Sequence, residues 1–209
     1  KQLASLGDIF VSDAFGTVHR AHASTVGVAA FLPAYAGFLL EKEIKALTPL
    51  INRPAHPLVL IVGGSKIDTK IGVLKNFLNK ADTFVIGGGL ANTFLAAEGY
   101  DVGASLYEKD KISVAQEIML AVEGGPKKSS EQFLLPEDVV VADEVKEDVE
   151  VLDLPIDDVE LDMRILDMGR LTTARYVAAI LEAKTIIWNG PVGLYEMKPF
   201  ERGTRAIAK

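Results

Sequence analysis

The sequence alternates short, continuous apolar runs with segments of helical periodicity. The runs are LVLIV at 58–62, TFVI at 83–86, DVVVA at 138–142, ILDMG at 165–169 and TIIW at 185–188. Runs that are this short, rich in Val and Ile, and closed by Gly or Asp are typical of strands buried in a parallel sheet. Because helical segments separate them, the pattern predicts a doubly wound α/β fold with right-handed crossovers.

Apolar residues at helical spacing mark the segments between the runs. One set comprises Ile67, Ile71, Leu74, Phe77 and Leu78, and another comprises Val177, Ile180 and Leu181. An earlier strand, DIFVSDAFG at 8–16, is separated from the main series by a helical stretch at 37–51. That stretch is followed by Pro54 and Pro57, which disfavour continuation of a helix. We therefore expect three parts: residues 1–36, a connecting helix and hinge at 37–56, and a larger domain at 57–209.

Charge and composition limit the classes of partner. With 22 Lys and Arg residues against 29 Asp and Glu residues, the net charge is −7, which disfavours nonspecific attraction to nucleic acid or anionic membrane. The apolar stretch at 26–40 is too short to span a bilayer and contains Pro33, so we predict no membrane segment. Zero cysteines and the lack of a recognisable leader are in keeping with a cytoplasmic enzyme.

The segment GGSKIDTK at 63–70 is the first candidate site. Glycines at the carboxyl end of a strand let the backbone approach a ligand, and a following helix would direct N–H groups at an anion. Lys66 and Lys70, four residues apart, would lie on one face of the first helical turns and reach phosphoryl oxygens. A plain strand-to-helix turn with exposed lysines remains the alternative, because neither common phosphate-loop motif is present.

Two further strand ends carry similar features. FVIGGGLANTF places Gly87, Gly88 and Gly89 after a second strand, and a tight turn is the alternative to a ligand surface. In TIIWNGPVGLYE, Asn189 offers amide donors and Glu196 offers a carboxylate that can accept hydrogen bonds from ribose hydroxyls. Ligands of open α/β sheets bind at the carboxyl ends of the strands, so these loops predict one shared crevice.

A cationic cluster lies in DAFGTVHRAHAST at 13–25. Arg20 can bind a phosphate or carboxylate through two parallel hydrogen bonds. His19 and His22 have a spacing that permits metal binding, but no suitable third ligand is near them in the sequence. A surface loop is the alternative for this segment, and it suits His22 better than Arg20.

These motifs together resemble the phosphoglycerate kinase family. The stretches DAFGTVHRAHASTVGV, GFLLEKEI, LVLIVGGSKIDTKIGVLKNFL, FVIGGGLANTFL, LPEDVVVA, LDMG and AKTIIWNGPVGLYE follow the family order across nearly all of the chain. The resemblance implies two Rossmann-like, three-layer α/β domains with parallel sheets, joined by a long interdomain helix and closing on each other. It also implies transfer of a phosphoryl group between 1,3-bisphosphoglycerate and ADP with Mg²⁺, in a cytoplasmic, monomeric enzyme.

The resemblance also assigns roles to individual residues. Lys66 and Lys70 would be catalytic and would contact the transferring group and the nucleotide phosphates, whereas Arg20 would bind 3-phosphoglycerate. The nucleotide-binding set would be Gly63, Gly64, Lys66, Lys70, Gly87, Gly88, Asn189 and Glu196. No protein residue is implied as a metal ligand, because Mg²⁺ would be held mainly by the nucleotide phosphates. Residues 1–36 would be a remnant of the substrate domain, and residues 57–209 would be the nucleotide-binding domain.

The chain departs from the family pattern at three places. His56 occupies the position of a second substrate-binding arginine, with Arg53 three residues earlier, and Ala104 replaces a lysine that would contact a nucleotide phosphate. The family's early substrate motifs and its late GGGD and TGGG loops are not in these residues, so we expect a chain truncated at both ends. A catalytically inactive nucleotide-binding fragment is therefore the alternative function. A nicotinamide-dependent dehydrogenase ranks last, because G-x-G-x-x-G is lacking.

Overall fold

The computed structural model describes residues 1–124 and 132–209, which fall into two compact units, Lys1–Pro54 and Ala55–Lys209. The amino-terminal unit pairs two short parallel strands, β1 (Phe10–Ser12) and β2 (Ala34–Ala36), and continues into helix α1 (Phe38–Asn52). The strand predicted within 8–16 and the helix predicted over 37–51 are both confirmed. The side chain of Asp13 accepts a hydrogen bond from Leu40 N (3.0 Å), so a carboxylate stabilises the positive end of α1.

The carboxy-terminal unit contains the rest of the regular structure. In chain order its elements are β3 (Leu58–Val62), α2 (Ile71–Phe77), β4 (Thr83–Ile86), α3 (Gly88–Glu98), α4 (Ile112–Glu123), β5 (Phe133–Leu134), β6 (Asp138–Ala142), β7 (Leu152–Pro155), β8 (Arg164–Met168), α5 (Arg170–Leu181), β9 (Thr185–Asn189) and α6 (Arg202–Ile207). None of the helices within the described residues is long and apolar enough to cross a membrane.

Four strands form a parallel sheet in the order β5-β4-β3-β9. Alternate residues of β3 enter two different apolar clusters, because successive side chains of a strand point to opposite faces. Leu58 and Leu60 pack in the cluster that also holds buried residues of α2, α3 and α4. Val59 and Ile61 pack in the cluster that holds Tyr176 of α5 and residues of α6. Helices therefore cover both faces of this sheet, which confirms the predicted α/β class and explains the unbroken apolar run of β3.

A second sheet, in the order β7-β6-β8, is antiparallel throughout. The prediction that 138–142 and 165–169 are further parallel strands was therefore wrong, although both segments are strands. A continuous apolar run reports burial of both faces of a strand and not the direction of its partner. Strand β7 lies within the acidic stretch at 144–158.

Candidate functional site

The carboxyl ends of β3, β4 and β9 are held together by backbone hydrogen bonds between the loops that follow them. Gly63 N donates to Asn189 O (2.9 Å), and Gly64 N donates to Pro191 O (2.8 Å). Gly88 N donates to Val192 O (2.7 Å). The three predicted glycine-bearing loops therefore meet at one edge of the parallel sheet, as expected for neighbouring parallel strands.

Two of the predicted glycines are required by this loop packing. A Cβ on Gly63 would collide with the carbonyl group of Pro191, and a Cβ on Gly87 would lie 2.5 Å from Cβ of Val192. Both residues are buried. Close approach of one loop to another is thus sufficient reason for glycine at positions 63 and 87.

The other predicted glycines lie beside a cleft, although a Cβ on Gly88 would also lie only 2.9 Å from Pro191 O. Gly64 (φ 100°) and Gly88 (φ 64°) have backbone conformations that favour glycine, and together with Gly89 they line a cleft of about 700 Å³. This volume is within the usual range for a small-molecule site. The remaining lining residues are Ser65, Asn92, Ala104, Ser105, Leu106, Val145, Arg164, Ile165, Leu166, Pro191, Gly193, Leu194 and Glu196.

The two candidate lysines precede helix α2 instead of lying on it. The helix begins at Ile71, and the carbonyl of Ile67 accepts hydrogen bonds from Lys70 N (2.8 Å) and Ile71 N (2.9 Å). The prediction that Lys66 and Lys70 share one face of the first helical turns was therefore wrong. Lys66 lies outside α2, and Lys70 is its N-cap residue, whose carbonyl accepts a hydrogen bond from Leu74 N (2.9 Å).

Lys70 connects two of the strand ends. Its ammonium group donates a hydrogen bond to Asn189 Oδ1, and its Nζ lies 4.0 Å from the position that a Cβ on Gly64 would occupy. Lys70 is half-buried, whereas Lys66 is exposed. The structure thus brings Lys70, Asn189 and Gly64 together, with one positive charge at the junction of the β3 and β9 loops.

The first turn of α3 uses two backbone N–H groups to bind the neighbouring loops. Gly88 N and Leu90 N, in the first turn of α3, donate to Val192 O and Gly64 O (2.7 Å each). Because α2 begins only at Ile71, its first turn does not follow the glycines directly. These two N–H groups of α3 therefore join the loops, and Lys70 adds a side-chain positive charge at this edge.

Two polar residues of the site were not identified from the sequence. Asn92 is 1% exposed and lines the cleft; its Nδ2 donates to Leu106 O (3.1 Å), while its Oδ1 has no hydrogen-bond partner among the described residues. A lone amide inside the otherwise apolar helix of GGGLANTF was the available signal.

Asp167 is the second of these residues. Burial raises its pKa to about 6, although hydrogen bonds from Gly203 N (2.7 Å) and Met168 N (2.9 Å) favour the charged form. Its carboxylate fills the space beside Gly193, where a Cβ would otherwise be. Asp167 thus packs against the loop after β9. A single Asp in an apolar strand does not show in the sequence that it has this contact.

Of the two predicted substrate-binding residues, only His56 belongs to the unit that holds this cleft. His56 precedes β3, and its Nδ1 lies 2.5 Å from Asp82 Oδ2, so it is at the opposite end of the sheet from the glycine loops. Arg20 lies in the amino-terminal unit, is exposed, and its carbonyl accepts a hydrogen bond from Thr25 Oγ1 (2.5 Å). Their roles in substrate binding stay predictions.

Neither the histidines nor any other acidic or histidine cluster forms a metal site in the part of the chain that the structure describes. Ala104, which replaces a lysine of the family pattern, lines the cleft. Its N–H donates a hydrogen bond to Met163 O (2.8 Å). Arg164, whose guanidinium donates to Asp143 O (2.7 Å), contributes a cation to the same cleft.

Comparison with known proteins gives one consistent result. A sequence model of the family described as phosphoglycerate kinase matches residues 1–209. A phosphoglycerate kinase of Chloroflexus aurantiacus is 50% identical over 208 residues, covering 100% of this chain and 51% of that protein. One from Herpetosiphon aurantiacus is 51% identical over 209 residues, again covering 100% of this chain and 52% of its own.

Solved structures agree with the sequence comparison. A structure of phosphoglycerate kinase from Coxiella burnetii superposes with a TM-score of 0.87 at 47% identity, covering 99% of this chain and 52% of that one. The enzyme from Pyrococcus horikoshii gives a TM-score of 0.82 at 29% identity, covering 99% and 51% respectively. The chain spans about half the length of the curated relatives that it matches.

Proposed function

Because this chain belongs to the phosphoglycerate kinase family, we propose that the protein transfers a phosphoryl group between 1,3-bisphosphoglycerate and ADP, giving 3-phosphoglycerate and ATP. The observation that carries the proposal is the ammonium group of Lys70, held at the junction of two strand-end loops beside a cleft of about 700 Å³. A cation beside a cleft of this size suits a ligand with a flat base and a charged phosphate tail.

The nucleotide would occupy the cleft in the carboxy-terminal unit. Gly64 and Gly88 would line its path directly, whereas Gly63 and Gly87 would act by allowing the loops to pack closely. Glu196, which lines the cleft and is exposed, would accept hydrogen bonds from the ribose hydroxyls. Asn189 would lie near the nucleotide phosphates, because its amide already contacts Lys70.

The chemistry would depend on positioning and charge. Phosphoryl transfer passes through a loose transition state with negative charge on the equatorial oxygens, so no covalent nucleophile on the protein is needed. Exposed Lys66 would stabilise the transferring phosphoryl group, and Lys70 would orient the nucleotide phosphates. Mg²⁺ would enter with the nucleotide, in keeping with its preference for phosphate oxygens and water as ligands.

The phosphoglycerate half of the reaction would depend on the amino-terminal part. Arg20 would bind 3-phosphoglycerate through its guanidinium group, with His56 at the position of a second cationic contact. In this proposal residues 1–36 belong to the substrate domain, residues 37–56 form an interdomain helix and hinge, and residues 57–209 bind nucleotide. Hinge bending would close the two domains, and the enzyme would act as a cytoplasmic monomer in glycolysis.

A second candidate is a nucleotide-binding chain without catalytic activity, because the chain spans only about half the length of its relatives. Calorimetry with MgADP and a coupled assay with 3-phosphoglycerate and MgATP distinguish the two. The kinase proposal predicts binding and turnover in the intact protein, whereas the alternative predicts weak MgADP binding without turnover.

The role of Lys66 is tested by Lys66→Ala in the intact protein. Loss of one charge contact in the transition state should lower turnover by about 10²-fold or more. Lys75→Ala, which removes an exposed lysine of α2, is the matched control and should change turnover little. A near-normal rate for Lys66→Ala would remove this lysine from the chemistry.

A further inference from the structure

The turn that carries both candidate lysines is fixed at its middle residue, Ile67. The side chain of Ile67 is fully buried in the apolar cluster on the α2 and α3 face of the sheet. Its carbonyl accepts hydrogen bonds from Lys70 N and Ile71 N. Since Ile67 lies between Lys66 and Lys70, its position determines where both lysine side chains start.

A carboxylate holds the remaining polar group of Ile67. Glu108, in the connection between α3 and α4, accepts a hydrogen bond from Ile67 N through its Oε2. The backbone N–H of Glu108 donates to Thr93 Oγ1 (3.1 Å), and Thr93 is buried in α3. A continuous path of hydrogen bonds therefore runs from the interior of α3, through Glu108, to the lysine-bearing turn.

An ion pair supports the same turn from a second direction. Lys111 Nζ lies 3.0 Å from Asp68 Oδ1, the residue directly after Ile67. This pair is largely exposed, so it contributes little by itself. Glu108 is the more direct support, because it binds the backbone of the turn itself, whereas Asp68 is reached through its side chain.

We propose that Glu108 is a positioning residue that sets the locations of Lys66 and Lys70 through its hydrogen bond to Ile67 N. This inference rests on the proposed function of the two lysines. A negative charge near a phosphate site opposes binding of an anion, so its presence there calls for a geometric reason. The reason is that Lys66 precedes α2 and Lys70 is its N-cap residue, so the turn before the helix sets where both side chains begin.

Two variants separate geometry from charge. Glu108→Gln keeps the length of the side chain and an oxygen acceptor but removes the charge. Glu108→Asp keeps the charge but is shorter by one methylene group, so its carboxylate no longer reaches Ile67 N. Glu117→Asp, on exposed Glu117 of α4, is the matched control for shortening an acidic side chain in this region.

Turnover of the intact protein should follow the geometry. We expect Glu108→Asp to lower kcat by about tenfold or more, since small misplacements of catalytic groups are costly, with KM for 3-phosphoglycerate little changed. Glu108→Gln and Glu117→Asp should stay close to the unchanged protein. If Glu108→Asp keeps full kcat, or if Glu108→Gln loses as much as Glu108→Asp, the positioning role is wrong.

Hydrogen exchange of the Ile67 amide gives a readout that does not require activity. It should be faster in Glu108→Asp than in Glu108→Gln, which keeps the acceptor. Equal exchange in both variants would overturn the inference. Absence of turnover in the unchanged protein would count against the kinase proposal alone, and the difference in Ile67 exchange would still decide the role of Glu108.

Discussion

The loops after β3 and β4 look alike in sequence and differ in structure. LIVGGS and FVIGGGL both place glycines directly after a buried strand. After β4 the chain enters α3 at Gly88, whereas after β3 it passes through a turn at residues 65–70 before α2 begins at Ile71. The β4 loop contributes closely packed backbone and the β3 loop contributes positive charge.

This difference has a physical reason in the backbone hydrogen bonds. The first turn of α3 donates to carbonyl groups of the two neighbouring loops, so its N–H groups are used to join loops. Lysine side chains on the β3 loop, together with Arg164 at the cleft, then supply positive charge for an anion. Glycine content alone therefore indicates how closely loops approach and does not show whether a helix terminus is free for a ligand.

Lys70→Ala gives the largest expected effect, because it removes the charge that distinguishes the β3 loop. We expect kcat/KM of the intact protein to fall by about 10²- to 10³-fold. Lys75→Ala, on the exposed side of α2, should change it little. Steady-state kinetics with varied MgADP or MgATP measure both variants, and equal values would show that the β3 loop does not act through this charge.

Gly63→Ala tests the close packing that the loops share. The added methyl group meets the backbone carbonyl of Pro191, so we expect the free energy of unfolding to fall by about 1–3 kcal/mol. Gly72→Ala is the control, because a Cβ there would have no described atom within 4 Å; this helical position should gain up to about 1 kcal/mol. Urea denaturation compares the two variants, and equal stabilities would contradict the packing argument.

Gly89→Ala tests whether the β4 loop contributes to nucleotide binding separately from its contribution to stability. Its Cβ would lie 3.3 Å from Ser65 Cα and 3.7 Å from Leu106 O, among residues that line the cleft. The free energy of unfolding should change by less than about 1 kcal/mol, because the higher helix propensity of Ala offsets the tight contact. Affinity for MgADP should fall by about tenfold, as expected when one methyl group enters a fitted site. Calorimetric affinity equal to that of the unchanged protein would exclude Gly89 from the nucleotide surface.

The smallest expected effect is on stability and concerns Asp167, which packs against the loop after β9. Burial raises its pKa to about 6, above the value of about 3.9 in an unfolded chain. Its contribution to stability is therefore complete below about pH 4 and is lost as pH rises through about 6. Lowering the pH from 7 to 5 should therefore raise the free energy of unfolding by about 1 kcal/mol through Asp167.

The comparison protein for this measurement is Asp167→Asn, which cannot titrate. Arg202 and Asp153 shift the pKa of Asp167 in opposite directions, and both remain in the variant. Subtracting the two pH profiles of unfolding removes the other titrating groups. A difference that stays constant between pH 5 and pH 7 would show that Asp167 is ionised over this whole range.

Much of the fold follows from sequence pattern. The runs at 58–62, 83–86 and 185–188 are parallel strands. The first two are buried on both faces, as unbroken apolar sequence indicates, whereas β9 leaves Ile186 and Trp188 partly exposed. The predicted direction was wrong for 138–142, which is fully buried, and for 165–169, which is partly buried, because both lie in an antiparallel sheet. Strands β5 and β7 were not predicted, because β5 has only two residues and β7 lies in an acidic stretch and contains Asp153 and Pro155.

The candidate site was predicted in part. That three glycine loops share one edge follows from the rule for parallel strands, and Lys70 and Asn189 are together there. Asn92 and Asp167 could not be identified, because a single polar residue in an apolar segment does not show what it faces. Membership of the phosphoglycerate kinase family, inferred from motif order, is confirmed.

The sequence alone determined the α/β class, the identity of the buried strands and the family, because burial and motif order are written along the chain. Tertiary structure decided which glycines pack against loops and which face the cleft, and where Lys66 and Lys70 stand relative to a helix. These properties depend on contacts between segments that are distant in sequence, such as Gly63 with Pro191 and Ile67 with Glu108. No local pattern encodes such contacts.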